Sequence, residues 1–200
     1  MRLEIGCGLS PKDGYEHLDI KPFPHVEYVA DARKLPFKDR CVSEIYSSNV
    51  IEHFWWFEIT ALLTEWCRVL RPGGRIEIHT PDAEFIMQQF FNGAWQDEVK
   101  SCPKEAGYNW IHNSDTDRNM WLNFKLHGTS SPGNAHVTSF SFEMMRNCLE
   151  KAGFKGINRL TPPGTTLSVE AFKGEDFGTS SRRSHPFSTT NGRSNGRHLI

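Results

Sequence analysis

A chain of 200 residues with 38% hydrophobic content suits one domain with a full core. A formal net charge of −1 supplies no bulk attraction to nucleic acid or an anionic membrane, and no apolar run approaches the roughly 20 residues a membrane helix requires. Five cysteines, an odd count with no Cys-x-x-Cys, point to reduced thiols in a cytoplasm, and the N-terminus reads as a strand rather than a signal peptide.

The first element is Leu3-Glu4-Ile5, delivered straight into Gly6-Cys7-Gly8. Glycines at a strand end let the backbone approach a ligand closely, because no Cβ stands in the way. A dinucleotide fingerprint would place a third glycine where Pro11 stands, and none follows until Gly14. Glu4 is a poor neighbour for a phosphate but suits a ligand with a cationic end, such as an amino-acid ammonium. Cys7 reads as a small residue in a tight loop. The second strand, Tyr15 to Ile20, ends in Asp19. An acid at that position can accept both ribose hydroxyls of an adenosine, or it can simply cap a turn before Lys21-Pro22. The third strand, Val26 to Ala30, ends in Asp31-Ala32, where a carboxylate could take the exocyclic amine of adenine. The fourth, Val42 to Ser48, runs into Asn49-Val50-Ile51-Glu52-His53-Phe54.

Ile59, Leu62, Leu63, Trp66 and Leu70 recur every three or four residues and predict a helix from Phe57 to Leu70. Pro72-Gly73-Gly74 then turns the chain into a fifth strand, Arg75 to His79, so residues up to about 82 read as βαβ-like. Trp55-Trp56-Phe57 reads as aromatic packing at the helix start in preference to a substrate-stacking surface. Residues 83–135 leave the sheet rhythm and are rich in Phe and Trp. Ser141 is placed to cap a helix that Gly153 ends. Ile157 to Leu160 and Leu167 to Phe172 read as the last two strands, parted by Pro162-Pro163-Gly164. From Gly174 onward a Ser, Thr, Gly, Asn and Arg-rich tail cannot bury enough surface to offset its ordering entropy, and disorder is predicted there.

The stretches LEIGCG (3–8), EHLDI (16–20), ADARKLPF (30–37), EIYSSNVIEHF (44–54), LLTEWCRVLRPGGRIEIHTPD (62–82) and HVTSFSFEMMRNCLEKAGF (136–154) resemble the class I S-adenosylmethionine-dependent methyltransferases, type 11 in particular. The resemblance implies an α/β fold, a Rossmann-like seven-stranded mostly parallel sheet with the last strand antiparallel, helices on both faces and an aromatic-rich cap insertion. It implies a methyltransferase domain over 1–173, with 83–135 as the cap over the acceptor, and 174–200 as a polar tail. The cofactor implied is S-adenosyl-L-methionine, held by Gly6, Cys7 and Gly8, by Asp19 with Ile20 at the ribose, and by Asp31 with Ala32 at the adenine. Ser48 and Asn49 would lie beside the methionine end, and Glu4 would hold the loop and meet the ammonium.

Methyl transfer requires an in-line nucleophile, exclusion of water and, for many acceptors, removal of a proton. Histidine is the natural base. His53 and His136 are the preferred candidates, with His112 and His127 inside the cap. Asn49-Val50-Ile51-Glu52-His53 is also similar to the Glu-x-x-Glu-His stretch of metal-dependent small-RNA 2′-O-methyltransferases. Asn49 stands where the first carboxylate would be, which weakens binding of a hard cation, so no metal is expected. The acceptor expected is a small molecule or saccharide; neither membrane nor nucleic acid is an expected partner. A nicotinamide oxidoreductase is disfavoured by the missing third glycine and by Glu4. A non-catalytic interaction module built on the basic tail is disfavoured by the polar residues at all three strand ends.

Overall fold

The computed structural model describes residues 1–97, 118–128 and 135–175. Seven strands form one sheet: β1 (Arg2–Ile5), β2 (Glu16–Asp19), β3 (Tyr28–Val29), β4 (Val42–Ser48), β5 (Leu70–Pro81), β6 (Phe154–Arg159) and β7 (Thr166–Lys173), in the order β3-β2-β1-β4-β5-β7-β6. The first five strands pair in parallel, and β7 runs antiparallel to both β5 and β6. The expected seven-stranded, mostly parallel sheet with a reversed last strand is therefore present.

Alternation along the strands sorts side chains onto two unlike faces. Leu3, Ile5, Ile45, Ile76, Ile78, Val169 and Ala171 point one way and are buried. Helices α1 (Ile59–Val69) and α4 (Phe142–Lys151) cover them with Ile59, Leu62, Leu63, Trp66, Met145 and Leu149. Each such large apolar side chain contributes about 1.5–3 kcal/mol when fully buried. Trp66 is 0% exposed, and its indole N–H is satisfied by the Ala32 carbonyl at 3.0 Å. Ser141 Oγ caps α4 by accepting from Met144 N, and Gly153 follows the helix at φ 98°.

The opposite face is polar. Arg2 pairs with Glu44 at 2.8 Å, and Arg75 reaches Glu44, Glu77 and Glu170 at 2.9, 2.7 and 3.0 Å. This network corrects the expectation of helices on both faces: among the described residues, α1 and α4 share the apolar side. The βαβ-like rhythm is corrected with it, because no α-helix occurs before Ile59. Residues 6–15, 20–27 and 30–41 join the first four strands as loops. Gly8, Pro11 and Gly14 interrupt the first, Pro22 and Pro24 the second, and Pro36 the third, so each holds isolated turns, such as Ser10 N on the Cys7 carbonyl, Val26 N on that of Phe23 and Lys34 N on that of Asp31, but no helix.

Two further expectations shift. Pro72-Gly73-Gly74 lies inside β5 rather than before it: Val42 pairs with Leu70 and Glu44 with Arg75, so the intervening residues are absorbed as a bulge, with Gly73 at φ 70°. Trp55, Trp56 and Phe57 pack on one another at the helix start, with Trp55–Phe57 and Trp56–Phe57 ring centroids 6.4 and 5.7 Å apart, but the cluster lies on the surface, 53%, 67% and 65% exposed, rather than in the core. They precede the helix, whose inner face Ile59, Leu62, Leu63 and Trp66 already fill. Helices α2 (Ala83–Asn92) and α3 (Arg118–His127) pack on each other within the insertion. Residues 98–117 and 129–134 of the insertion and nearly all of the tail, residues 176–200, lie outside the described residues, as does His112. Among the described residues no helix is long and apolar enough to cross a membrane.

Candidate functional site

The carboxyl ends of β1, β2 and β4 meet around the glycine loop, as parallel strands in register require. Gly6 turns the chain at φ 75° and donates to the Leu18 carbonyl at 2.7 Å. A Cβ built at Gly6 would overlap Val50 Cγ2, whereas one at Gly8 would meet nothing within 4 Å. The first glycine thus serves packing, and the second leaves open space above the backbone. Asp19, 8% exposed, accepts from Gly8 N and Lys21 N at 2.9 Å each. His25 adds a tether absent from the sequence reading, its Nε2 donating to the Gly8 carbonyl at 2.8 Å.

Gly6, Gly8 and Asp19 border a cleft of about 450 Å³ that also takes in Ile20, Phe23, Asp31, Ala32, Asn49 and His53. Ile20 is 66% exposed on its rim and Ala32 is buried in its wall. The Asp31 carboxylate is gripped by Arg33 at 2.8 Å, and that hydrogen bond holds it below the usual carboxylate range. Its second oxygen is shared with the same guanidinium, so a ligand amine would compete with Arg33. Cys7 is buried behind the loop, and burial, with Asp19 and Glu4 nearby, pushes its thiol up to about 11, too weak an acid to serve as a nucleophile at neutral pH. Asn49 holds a left-handed backbone at φ 54° and, with Ser48, faces a second cleft on the far side of the loop. Glu4 accepts from Lys12 N at 2.7 Å and so holds the loop from below.

At the other end of the cleft, residues distant in sequence converge. A 3-10 turn, Ile51–His53, carries Glu52 inward at 1% exposure. The Glu52 carbonyl accepts from Val137 N and Thr138 N at 2.8 and 3.2 Å, which draws His136 in beside His53. The two imidazoles meet edge to face, with centroids 5.0 Å apart. His53 Nδ1 faces the Ala135 carbonyl at 3.1 Å. A carbonyl only accepts, so in the neutral ring the hydrogen sits on Nδ1 and the lone pair on Nε2. Burial, with His53 alongside, pulls His136 below the ordinary histidine range, so it is neutral at physiological pH. Glu52 Oε2 accepts from Thr80 Oγ1 at 3.0 Å, while Oε1 is buried without a hydrogen bond, 3.9 Å from His136 Nε2. Burial raises this carboxyl above its usual range. His127 sits at the end of α3, and its carbonyl accepts from His136 N at 3.0 Å.

Residues 12–78 match the family model described as Methyltransferase domain. Solved structures share the fold over 86% of this chain. They include the S-adenosylmethionine-dependent methyltransferase SibL (15% identity, TM-score 0.52, 50% of that chain covered). The CurJ carbon methyltransferase gives 15%, 0.50 and 48%, and a candidate S-adenosylmethionine-dependent methyltransferase from Listeria monocytogenes gives 16%, 0.50 and 90%. The chain thus spans about half the length of the SibL and CurJ chains. No curated protein matches it.

Proposed function

We propose that this chain, whose residues 12–78 match the methyltransferase domain model, is a class I S-adenosylmethionine-dependent methyltransferase that moves the sulfonium methyl to a small-molecule or saccharide-type acceptor entering beside His53 and His136. S-adenosylmethionine supplies the methyl group when bound. The adenosine fits the cleft bordered by Gly6, Gly8, Asp19, Ile20, Asp31 and Ala32, and Asp19 retains lone pairs for ribose hydroxyls beyond the two amides it holds. Cys7, Ser48 and Asn49 line the passage to the methionine end. Residues 1–173 act as one domain, and α3, ending against His136, supports 83–135 as the cap over the acceptor. The odd cysteine count supports a cytoplasmic location.

One observation carries the chemistry: an imidazole with a free Nε2 lone pair, His53, lines the cofactor cleft with a second imidazole 5.0 Å away. A base at this place takes the acceptor proton as the methyl arrives, a contribution of about 10²–10⁴-fold. His53→Ala and His136→Ala should each lower kcat by such a factor, read as adenosylhomocysteine release over a panel of hydroxyl-bearing acceptors, with adenosylhomocysteine affinity unchanged. An unaltered kcat in both variants would remove the base assignment.

A second reading draws on the buried, unpartnered Glu52 Oε1. Glu52, His53 and His136 present one carboxylate and two imidazole donors within 4.8 Å of one another, a set that suits a borderline divalent ion better than Mg²⁺. Such an ion would orient an acceptor oxygen. Calorimetric titration with Mg²⁺, Mn²⁺ and Zn²⁺ separates the readings: saturable binding that Glu52→Gln abolishes supports the metal-assisted route, and no binding excludes it.

A further inference from the structure

Trp55, Trp56 and Phe57 follow directly on His53 and Phe54, both of which line the cofactor cleft, and each is more than half exposed. Single exposed apolar residues are ordinary on a protein surface, but three adjacent aromatic rings beside a cleft are not. The group is ordered as well as exposed. The Trp55 and Phe57 rings lie within 4° of parallel, and Phe57 meets Trp56 edge to face. The segment is pinned at both ends. The Phe54 carbonyl accepts from Thr138 Oγ1 at 2.7 Å, while Glu58 Oε2 accepts from Trp55 N at 3.1 Å and Glu58 N donates to the Trp55 carbonyl at 2.8 Å. Glu58 Oε1 in turn meets Arg33 at 3.3 Å, and the Arg33 guanidinium lies 5.7 Å from the centroid of the Phe54 ring. A ligand that stacks here finds the aromatic surface already ordered, so little is lost on binding.

We infer that Trp55, Trp56 and Phe57 form the acceptor-recognition surface and that the acceptor is a glycan, one sugar ring laying its apolar C–H face on these rings while its hydroxyls stay in water or bond the rim. The inference deepens the proposed transferase reading and rests on the methyl being delivered beside His53. A flat apolar acceptor gains most from a pocket that encloses it. A sugar ring carries its apolar patch on one face, so an open surface suffices. Glu58 and Arg33 at the edge offer the acceptor and donor groups that neighbouring hydroxyls bond. Arg33 is already matched by Asp31 and Glu58, and that compensation disfavours a polyanion such as RNA, which needs cations for its phosphates. Chain geometry holds the Trp55 Cα within about 7 Å of that of His53, and the Phe57 Cα within about 14 Å. A ring stacked on the aromatic group therefore leaves a hydroxyl, its own or that of the next unit, at the cleft that His53 lines.

The test is calorimetric titration of the full chain with hexaoses of glucose, mannose, galactose and N-acetylglucosamine, with tryptophan fluorescence of the native chain as a second readout. At least one hexaose should bind saturably. Trp55→Ala and Trp56→Ala should each weaken it about two- to tenfold, the range for loss of one aromatic contact, and Trp56→Phe should keep most of the affinity. Adenosylhomocysteine affinity and the thermal midpoint should not move in any of the three. His53→Ala should bind the same hexaose as tightly as the native chain while losing turnover, so failure of the base assignment and failure of the glycan surface read out separately. No binding by any hexaose, or binding that both alanine variants leave unchanged, would overturn the inference. Binding of catechol or of phosphatidylglycerol vesicles in place of the hexaoses would overturn it in favour of a flat acceptor or a membrane. A parallel loss of adenosylhomocysteine affinity would reduce the rings to supports of the cofactor cleft and overturn it too.

Discussion

Gly6 and Asp19 show how single residues set the cofactor cleft. Gly6 combines a φ of 75° with a Cβ direction blocked by Val50, so Gly6→Ala incurs both backbone strain and overpacking, together about 2–6 kcal/mol. Urea denaturation should show that loss, and Val50→Ala in the same chain should recover only the steric part. Complete recovery would mean the backbone conformation is unstrained. Asp19 holds Gly8 N and Lys21 N with its two oxygens. Asp19→Ala removes this tether together with the proposed ribose acceptor, so adenosylhomocysteine binding should disappear while the circular dichroism spectrum persists. Retained affinity would sink that part of the site assignment. The sequence pointed to both residues by their place at strand ends. It could not show that Asp31 would be occupied by Arg33, nor that His25 would clamp Gly8, because neither contact follows from a strand-end pattern.

At the scale of elements, the 3-10 turn Ile51–His53 and the segment 135–138 are joined through the Glu52 backbone, with the Glu52 side chain sealed beneath them. The sign of its pH effect follows from burial. The folded state favours the protonated carboxyl, so stability is greatest near and below the ordinary glutamate value of about 4.3 and falls as pH rises toward the raised folded value. Glu52→Gln, still able to accept from Thr80, should therefore flatten this dependence. Its thermal midpoint should gain on the native chain at pH 7 relative to pH 4. A bound metal reverses the outcome, since Glu52→Gln would then lose stability in the presence of that ion. His136 works oppositely: its depressed value means stability declines as pH falls below about 6.5 and the unfolded chain takes up the proton first.

Across the whole molecule, the feature with the widest consequences is the unlike pair of sheet faces. Arg75 ties β4, β5 and β7 together on the polar side through Glu44, Glu77 and Glu170, and Arg2 extends the network to β1. Burial works to raise Glu44 and Glu77, but hydrogen bonds from Arg2 and Tyr15 to the first, and from His79 and Arg75 to the second, outweigh it and hold both low. Their contribution is present above about pH 4.3 and is lost as pH falls through the depressed folded values. Arg75→Ala leaves three carboxylates clustered without their shared cation, so it should destabilise the chain at pH 7 and much less at pH 3. An equal loss at both pH values in thermal unfolding would assign the effect to lost packing of the arginine stem.

The sequence by itself determined the carboxyl ends of the first, second and fourth strands and their polar residues, the span of α1 to within two residues, the Ser141 cap and the methyltransferase family resemblance. These depend on period, turn chemistry and local motif order, which are readable over short windows. Only the tertiary structure decided that no helix intervenes before Ile59, that Trp55 to Phe57 are exposed, and that Glu52, His53 and His136 meet. The absence of early helices turns on loops short enough to close without one. The histidine pairing turns on backbone hydrogen bonds between residues more than eighty positions apart. Both depend on how strands and loops meet, since register between strands, unlike period within them, is a property of the assembled sheet.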